Sequence, residues 1–94
     1  MRAVWNGITL AESAEPVLLE GNVYFPPDSV RHEHLRRSRL ITVCPWKGIA
    51  GYYSVEHDGA RLSNAAWIYR RPFPWIRKIR RHVAFDGRVE IVTD

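Results

Sequence analysis

Cys44, Pro45, Trp46, Lys47 and Gly48 are contiguous, so a thiol, a turn-forming imide, an indole, an ammonium and a residue without Cβ fall at one corner. An ammonium three residues from a thiol can lower the thiol pKa and generate a thiolate nucleophile. A lysine beside a glycine can also hold a carboxylate or phosphate against a backbone concavity. The plainer alternatives are a small buried cysteine closing the apolar run Leu40-Ile41-Thr42-Val43, and a solvated lysine on an ordinary turn. Without a glycine-rich lead-in, and with no Ser or Thr after Lys47, the segment is not a P-loop.

Aromatic residues cluster downstream: Tyr52, Tyr53, Trp67, Tyr69 and Phe85 join Trp46 in a chain of 94 residues. A core this small needs some of these rings, each stabilising by up to about 2 to 3 kcal/mol when fully buried. The others are available to line a cleft, where a ring such as Trp67 stacks on a flat ligand. The sequence therefore predicts a ligand-binding set of Cys44, Trp46, Lys47, Tyr52, Trp67 and Tyr69. Lys47 would meet a negative group, and the rings a flat moiety such as a nucleotide or a small aromatic anion. The competing expectation is a transferase-like enzyme, with Cys44 or Lys47 as nucleophile or electrostatic clamp and Glu20 as base.

Charge supplies a second candidate surface. Residues 1–30 hold one arginine against four acids, whereas residues 31–94 hold thirteen bases against six acids. Arg70, Arg71, Arg77, Lys78, Arg80 and Arg81 form the densest basic stretch, interleaved with Phe73 and Trp75. That mixture suits single-stranded nucleic acid or an acidic protein, and equally a solvated rim. The four histidines, His32, His34, His57 and His82, have no spacing that implies a metal site. One cysteine excludes an internal disulfide and a multi-cysteine zinc cluster, and no motif calls for a cofactor.

These residues need a scaffold, and the turn residues outline it. Asn6-Gly7, Gly21-Asn22, Asp58-Gly59 and Asp86-Gly87 separate short apolar runs, and such pairs tolerate the positive φ of two-residue hairpin turns. Four hairpins are predicted. Between Ile49 and Val55, Ile49, Gly51, Tyr53 and Val55 project to one face and Ala50, Tyr52 and Ser54 to the other. Each face carries an aromatic, so both should meet apolar neighbours. Pro27, Asp28, Val30 and Leu35 predict one short helix over Pro27–Arg36, and Trp75, Ile76 and Ile79 a single helical turn after Pro72 and Pro74. The expected fold is one mainly β domain over residues 1–94, an open, twisted antiparallel sheet of eight or nine strands. No apolar run reaches the roughly 18 to 20 residues of a membrane span and no signal segment opens the chain, so a cytoplasmic location is expected.

The order Tyr24-Phe25-Pro26-Pro27-Asp28-Ser29-Val30, Cys44-Pro45-Trp46-Lys47-Gly48, Tyr52-Tyr53-Ser54, Ala66-Trp67-Ile68-Tyr69 and Val83-Ala84-Phe85 resembles the bacterial domain-of-unknown-function family 427. The likeness covers nearly the whole chain. It implies a small antiparallel domain of the Mss4-like or β-tent type, here without the paired cysteines that hold zinc in many such folds. The family carries the label nucleotidyltransferase-like, which would imply nucleotide chemistry. Such an enzyme ordinarily gathers two or three carboxylates around magnesium, and the acids of this chain are dispersed.

Overall fold

The computed structural model describes residues 1–93. Nine strands run in the order β1 (Arg2–Trp5), β2 (Ile8–Glu12), β3 (Val17–Leu19), β4 (Asn22–Tyr24), β5 (Leu35–Cys44), β6 (Gly48–His57), β7 (Ala60–Ile68), β8 (Val83–Phe85) and β9 (Glu90–Val92). The fold is mainly β, and every strand pair is antiparallel. The strands divide among three sheets, β2-β1-β9, β3-β4 and β5-β6-β7-β8. Phe25 and Val83 exchange backbone hydrogen bonds of 2.8 and 2.9 Å, fastening the β3-β4 hairpin to the edge of the long sheet.

Two of the four predicted turns close as hairpins at the expected pair, and a third hairpin turns one residue earlier. Asn6-Gly7 and Asp58-Gly59 have positive φ at both central residues, the geometry that matches strand twist. In the second hairpin the turn is Glu20-Gly21, and Asn22 already belongs to β4. This shift by one residue sets the Glu20 side chain at the hairpin tip. The fourth prediction is corrected: Asp86-Gly87 does not join two paired strands, because β8 pairs with β7 whereas β9 crosses to β1. Asp86 instead turns the chain locally, its Oδ1 accepting a 2.9 Å hydrogen bond from the Arg88 backbone N–H.

The helix expected over Pro27–Arg36 is two separate 3₁₀ turns, Pro27–Ser29 and His32–His34, with Leu35 and Arg36 inside β5. Between the turns Val30 is extended (φ −101°, ψ 134°) and bridges Ala11, and the Arg31 N–H donates to the Leu10 carbonyl at 2.8 Å. Pairing with β2 thus takes the backbone groups a continuous helix would need. The second expected turn forms as a 3₁₀ segment over Pro74–Ile79, burying Ile76 and Ile79 and leaving Trp75 68% exposed.

Two apolar clusters lie on the two faces of the long sheet. One packs Ala3, Leu10, Phe25, Leu35, Val55 and Val83 between this sheet and β2-β1-β9, with Tyr53 at its margin. The other gathers Tyr24, Ala50, Tyr69, Ile76, Ile79 and Ala84, with Cys44, Tyr52 and Trp67 packed against it. The alternation read from residues 49–55 holds, since Tyr53 and Val55 join the first cluster and Ala50 and Tyr52 the second.

Candidate functional site

The loop Pro45-Trp46-Lys47 joins β5 to β6, with Cys44 paired to Gly48 across its base. Pro45 has no N–H to donate, which ends the ladder there. Gly48 has φ +118°, a conformation L side chains rarely adopt. A Cβ on Gly48 would point at the Arg71 carbonyl oxygen, 3.5 Å away, and at the Pro72 backbone. The 71–75 segment clamps the loop from that side. The Phe73 N–H donates to the Lys47 carbonyl at 3.0 Å, and the Trp75 indole N–H to the Trp46 carbonyl at 2.7 Å.

This clamp folds the Lys47 side chain inward, leaving it 10% exposed. Its ammonium stands 5.4 Å from the Trp46 ring centre and 5.6 Å from that of Tyr69, within cation–π range of both. It donates to Glu20 Oε1, 27 residues away on the β3-β4 hairpin tip. Burial opposes the charge of Lys47. The hydrogen bond to Glu20 and the attraction of Tyr24, Tyr69 and Glu20 outweigh that penalty and raise the pKa above its ordinary value. The Tyr69 hydroxyl is also pushed up, by burial first, with Lys47 pulling the other way.

Register brings the remaining rings alongside. Tyr52 sits opposite Trp67 in the β6-β7 ladder, their centres 6.5 Å apart at 42°. The Trp67 indole N–H donates to the Tyr24 hydroxyl at 3.2 Å, and the two rings meet edge-on at 6.4 Å. Thr42 opposes Ala50 on the same face, and its hydroxyl meets that of Tyr52 at 3.1 Å. Cys44 is a free, half-buried thiol beside this group.

All six residues expected to line a cleft therefore reach one face of the long sheet, together with Glu20. Sequence reasoning missed Tyr24 and Thr42. Tyr24 follows Val23 directly after the hairpin turn, and alternation from that turn was the available signal. The expected free cation at a positive lip is corrected: Lys47 is buried and already paired with a carboxylate. Among the described residues, no group of three or more His, Cys, Asp and Glu side chains is placed to hold a metal ion.

The basic stretch splits. Arg70 and Arg71 enter a groove on the other face of the sheet, whereas Arg77, Lys78, Arg80 and Arg81 stand exposed on and after the 3₁₀ turn. His34 and His57, unlinked in the sequence reading, meet edge to face at 5.2 Å. Nearby, Glu56 bridges Arg36 and Arg61 at 3.5 Å each.

Among the described residues no helix is long and apolar enough to cross a membrane. No curated protein gives a significant match to the chain. Residues 1–94 match a domain of unknown function as a whole, taking in the Cys44–Gly48 loop, its Glu20 partner and the Trp67 strand together, and the chain belongs to the domain-of-unknown-function family 427.

Proposed function

We propose that this chain is a small binding module for a nucleotide-like or other small anionic aromatic ligand, taken on the face formed by Cys44, Trp46, Lys47, Tyr52, Trp67 and Tyr69. The observation that carries this reading is the Lys47 ammonium, held between two rings and satisfied by a carboxylate from a separate hairpin. A buried ammonium without an anion is costly, so the site requires a negative partner at that point. Glu20, 43% exposed at a hairpin tip, fills the requirement while the site is free. A ligand carboxylate or phosphate displaces it, and the flat part of the ligand lies against Tyr52 and Trp67.

The raised pKa of Lys47 bears on the enzymatic alternative. An amine nucleophile must lose its proton, and this one holds it more firmly than a free lysine. Lys47 is therefore suited to an electrostatic clamp on an anion and not to covalent attack.

Titration calorimetry with adenosine monophosphate and with a naphthoate tests the reading. Saturable binding that Lys47→Met abolishes, and that Glu20→Gln strengthens by removing the internal competitor, is the expected result. Affinity unchanged by Lys47→Met overturns it.

A further inference from the structure

The face of β6 opposite Lys47 carries a groove of about 480 Å³, walled by Arg37, Arg70 and Arg71 and by Ile41, Ile49 and Phe73. Strand alternation puts it there. Arg37 pairs with Tyr53, Ile41 with Gly51, and Val43 with Ile49, so these side chains share the face that Tyr53 and Val55 occupy further along. The β2-β1-β9 sheet covers the Val55 end. The other end is open, with Ile41 61% and Ile49 57% exposed.

Arg70 is held in place. Its Nη2 donates to the Tyr53 hydroxyl at 2.9 Å, and its guanidinium carbon stands 5.5 Å from the Tyr53 ring centre. The arm crosses β6 at Gly51, where an added Cβ would lie 2.6 Å from Arg70 Nη1. Only a residue without a side chain leaves that path free. Among the described residues, none of the three arginines makes an ion pair with a carboxylate. The groove thus combines three uncompensated guanidinium groups, one of them pre-set, with apolar walls and a volume in the range of small-molecule sites.

We infer that this groove is a second ligand site, for a phosphate monoester with a flat apolar body. Guanidinium groups match the planar spread of phosphate oxygens. Three of them favour a dianion over a carboxylate by Coulomb attraction. Ile41, Ile49 and Phe73 take the apolar half out of water. The groove shares strand β6 and the 71–73 backbone with the Lys47 loop, the Phe73 N–H bonding the Lys47 carbonyl. Its walls use none of the six side chains assigned to the Lys47 face, so side-chain substitutions test the two readings separately.

Calorimetry on the full chain with α-naphthyl phosphate, inorganic phosphate and α-naphthol tests it, run on the wild type and on Lys47→Met. The expected result is saturable binding of α-naphthyl phosphate that persists in Lys47→Met, with weaker binding of phosphate and of naphthol. Arg70→Met and Arg71→Ala each weaken that binding by about tenfold, the scale of one charge-assisted hydrogen bond. Gly51→Ala weakens it comparably with all three charges present, because the new methyl pushes the Arg70 guanidinium off its Tyr53 partner. Arg71 is exposed, so Arg71→Ala leaves the fold intact. Absence of saturable binding overturns the inference. So does affinity that survives both arginine substitutions, and so does binding lost in Lys47→Met but kept in the arginine variants.

Discussion

The Glu20 carboxylate closes on the Lys47 ammonium between two hairpins that share an apolar cluster, so the one charged group buried among the described residues is neutralised from outside its own sheet. The pair ties the β3-β4 tip to the β5-β6 loop.

This pair has a pH signature. The folded pKa of Lys47 lies above the unfolded value near 10.5, so its stabilising contribution is complete below that pH. It fades as pH climbs through the raised folded value. Glu20→Gln removes the partner. The difference in urea midpoint between wild type and Glu20→Gln is therefore constant through neutral pH and narrows above 10.5. A difference that stays constant across the alkaline range contradicts the assigned pairing.

Tyr24 anchors Trp67 by hydroxyl and ring edge together. Tyr24→Phe keeps the edge contact and deletes the acceptor of the indole N–H. The expected loss is about 1 kcal/mol or somewhat more, the usual cost of leaving a partly buried donor unmatched. The Trp67 contribution to fluorescence shifts to the red as the indole turns toward solvent. Denaturant titration followed by tryptophan emission reads both effects.

Gly48 and Gly51 lie on the same strand and answer alanine differently. Gly48 has φ +118°, so a methyl group strains the backbone wherever the neighbours move. Gly51 has an ordinary backbone, and its added methyl collides only with the end of the Arg70 side chain, meeting Ile68 at an ordinary 3.8 Å. Gly48→Ala is expected to cost about 1 to 3 kcal/mol, and Gly51→Ala well under that. Thermal unfolding of the two variants side by side checks the order, and equal losses would contradict it.

The same contrast explains which parts of the molecule were legible in the sequence. Asn6-Gly7 and Asp58-Gly59 are readable because positive φ is a local demand that few residues meet. Glu20-Gly21 escaped by one position because glutamate rarely takes that conformation. Asp86-Gly87 misled because the pairing of β9 with β1 is decided by contacts more than eighty residues apart. The Cys44–Gly48 loop is contiguous and stood out at once. The Arg70 groove did not, since it depends on the β5-β6 register and on a shift in that register between Arg37 and Ile41. No spacing rule delivers Arg37, Gly51 and Arg70 to one face. Charge counting found Arg70 and Arg71, but grouped them with four bases that lie elsewhere.

Asp86 governs the acid side of the stability profile. Burial works against its charge, yet hydrogen bonds from the Arg88 side chain and backbone hold its carboxyl below the ordinary 3.8. The Arg88 guanidinium grips both oxygens, at 2.7 and 3.1 Å to Oδ2 and 3.3 Å to Oδ1, and reaches the Ser63 carbonyl at 2.8 Å. The ion pair thus closes the β8-β9 turn on itself, and the Arg88 bond to Ser63 fastens that turn to β7. A depressed carboxylate stabilises above its unfolded pKa, and that contribution is lost as pH falls through the folded value. Asp86→Asn keeps the shape and removes the titration. Compared with this variant, the wild type has the higher urea midpoint at neutral pH, and its advantage shrinks once pH drops below 3.8. Hydrogen exchange of the Val89 amide, which bonds the Asp86 carbonyl at 3.1 Å, quickens in the variant at neutral pH. An advantage that persists unchanged into acid places the stabilisation in turn geometry and not in the ion pair.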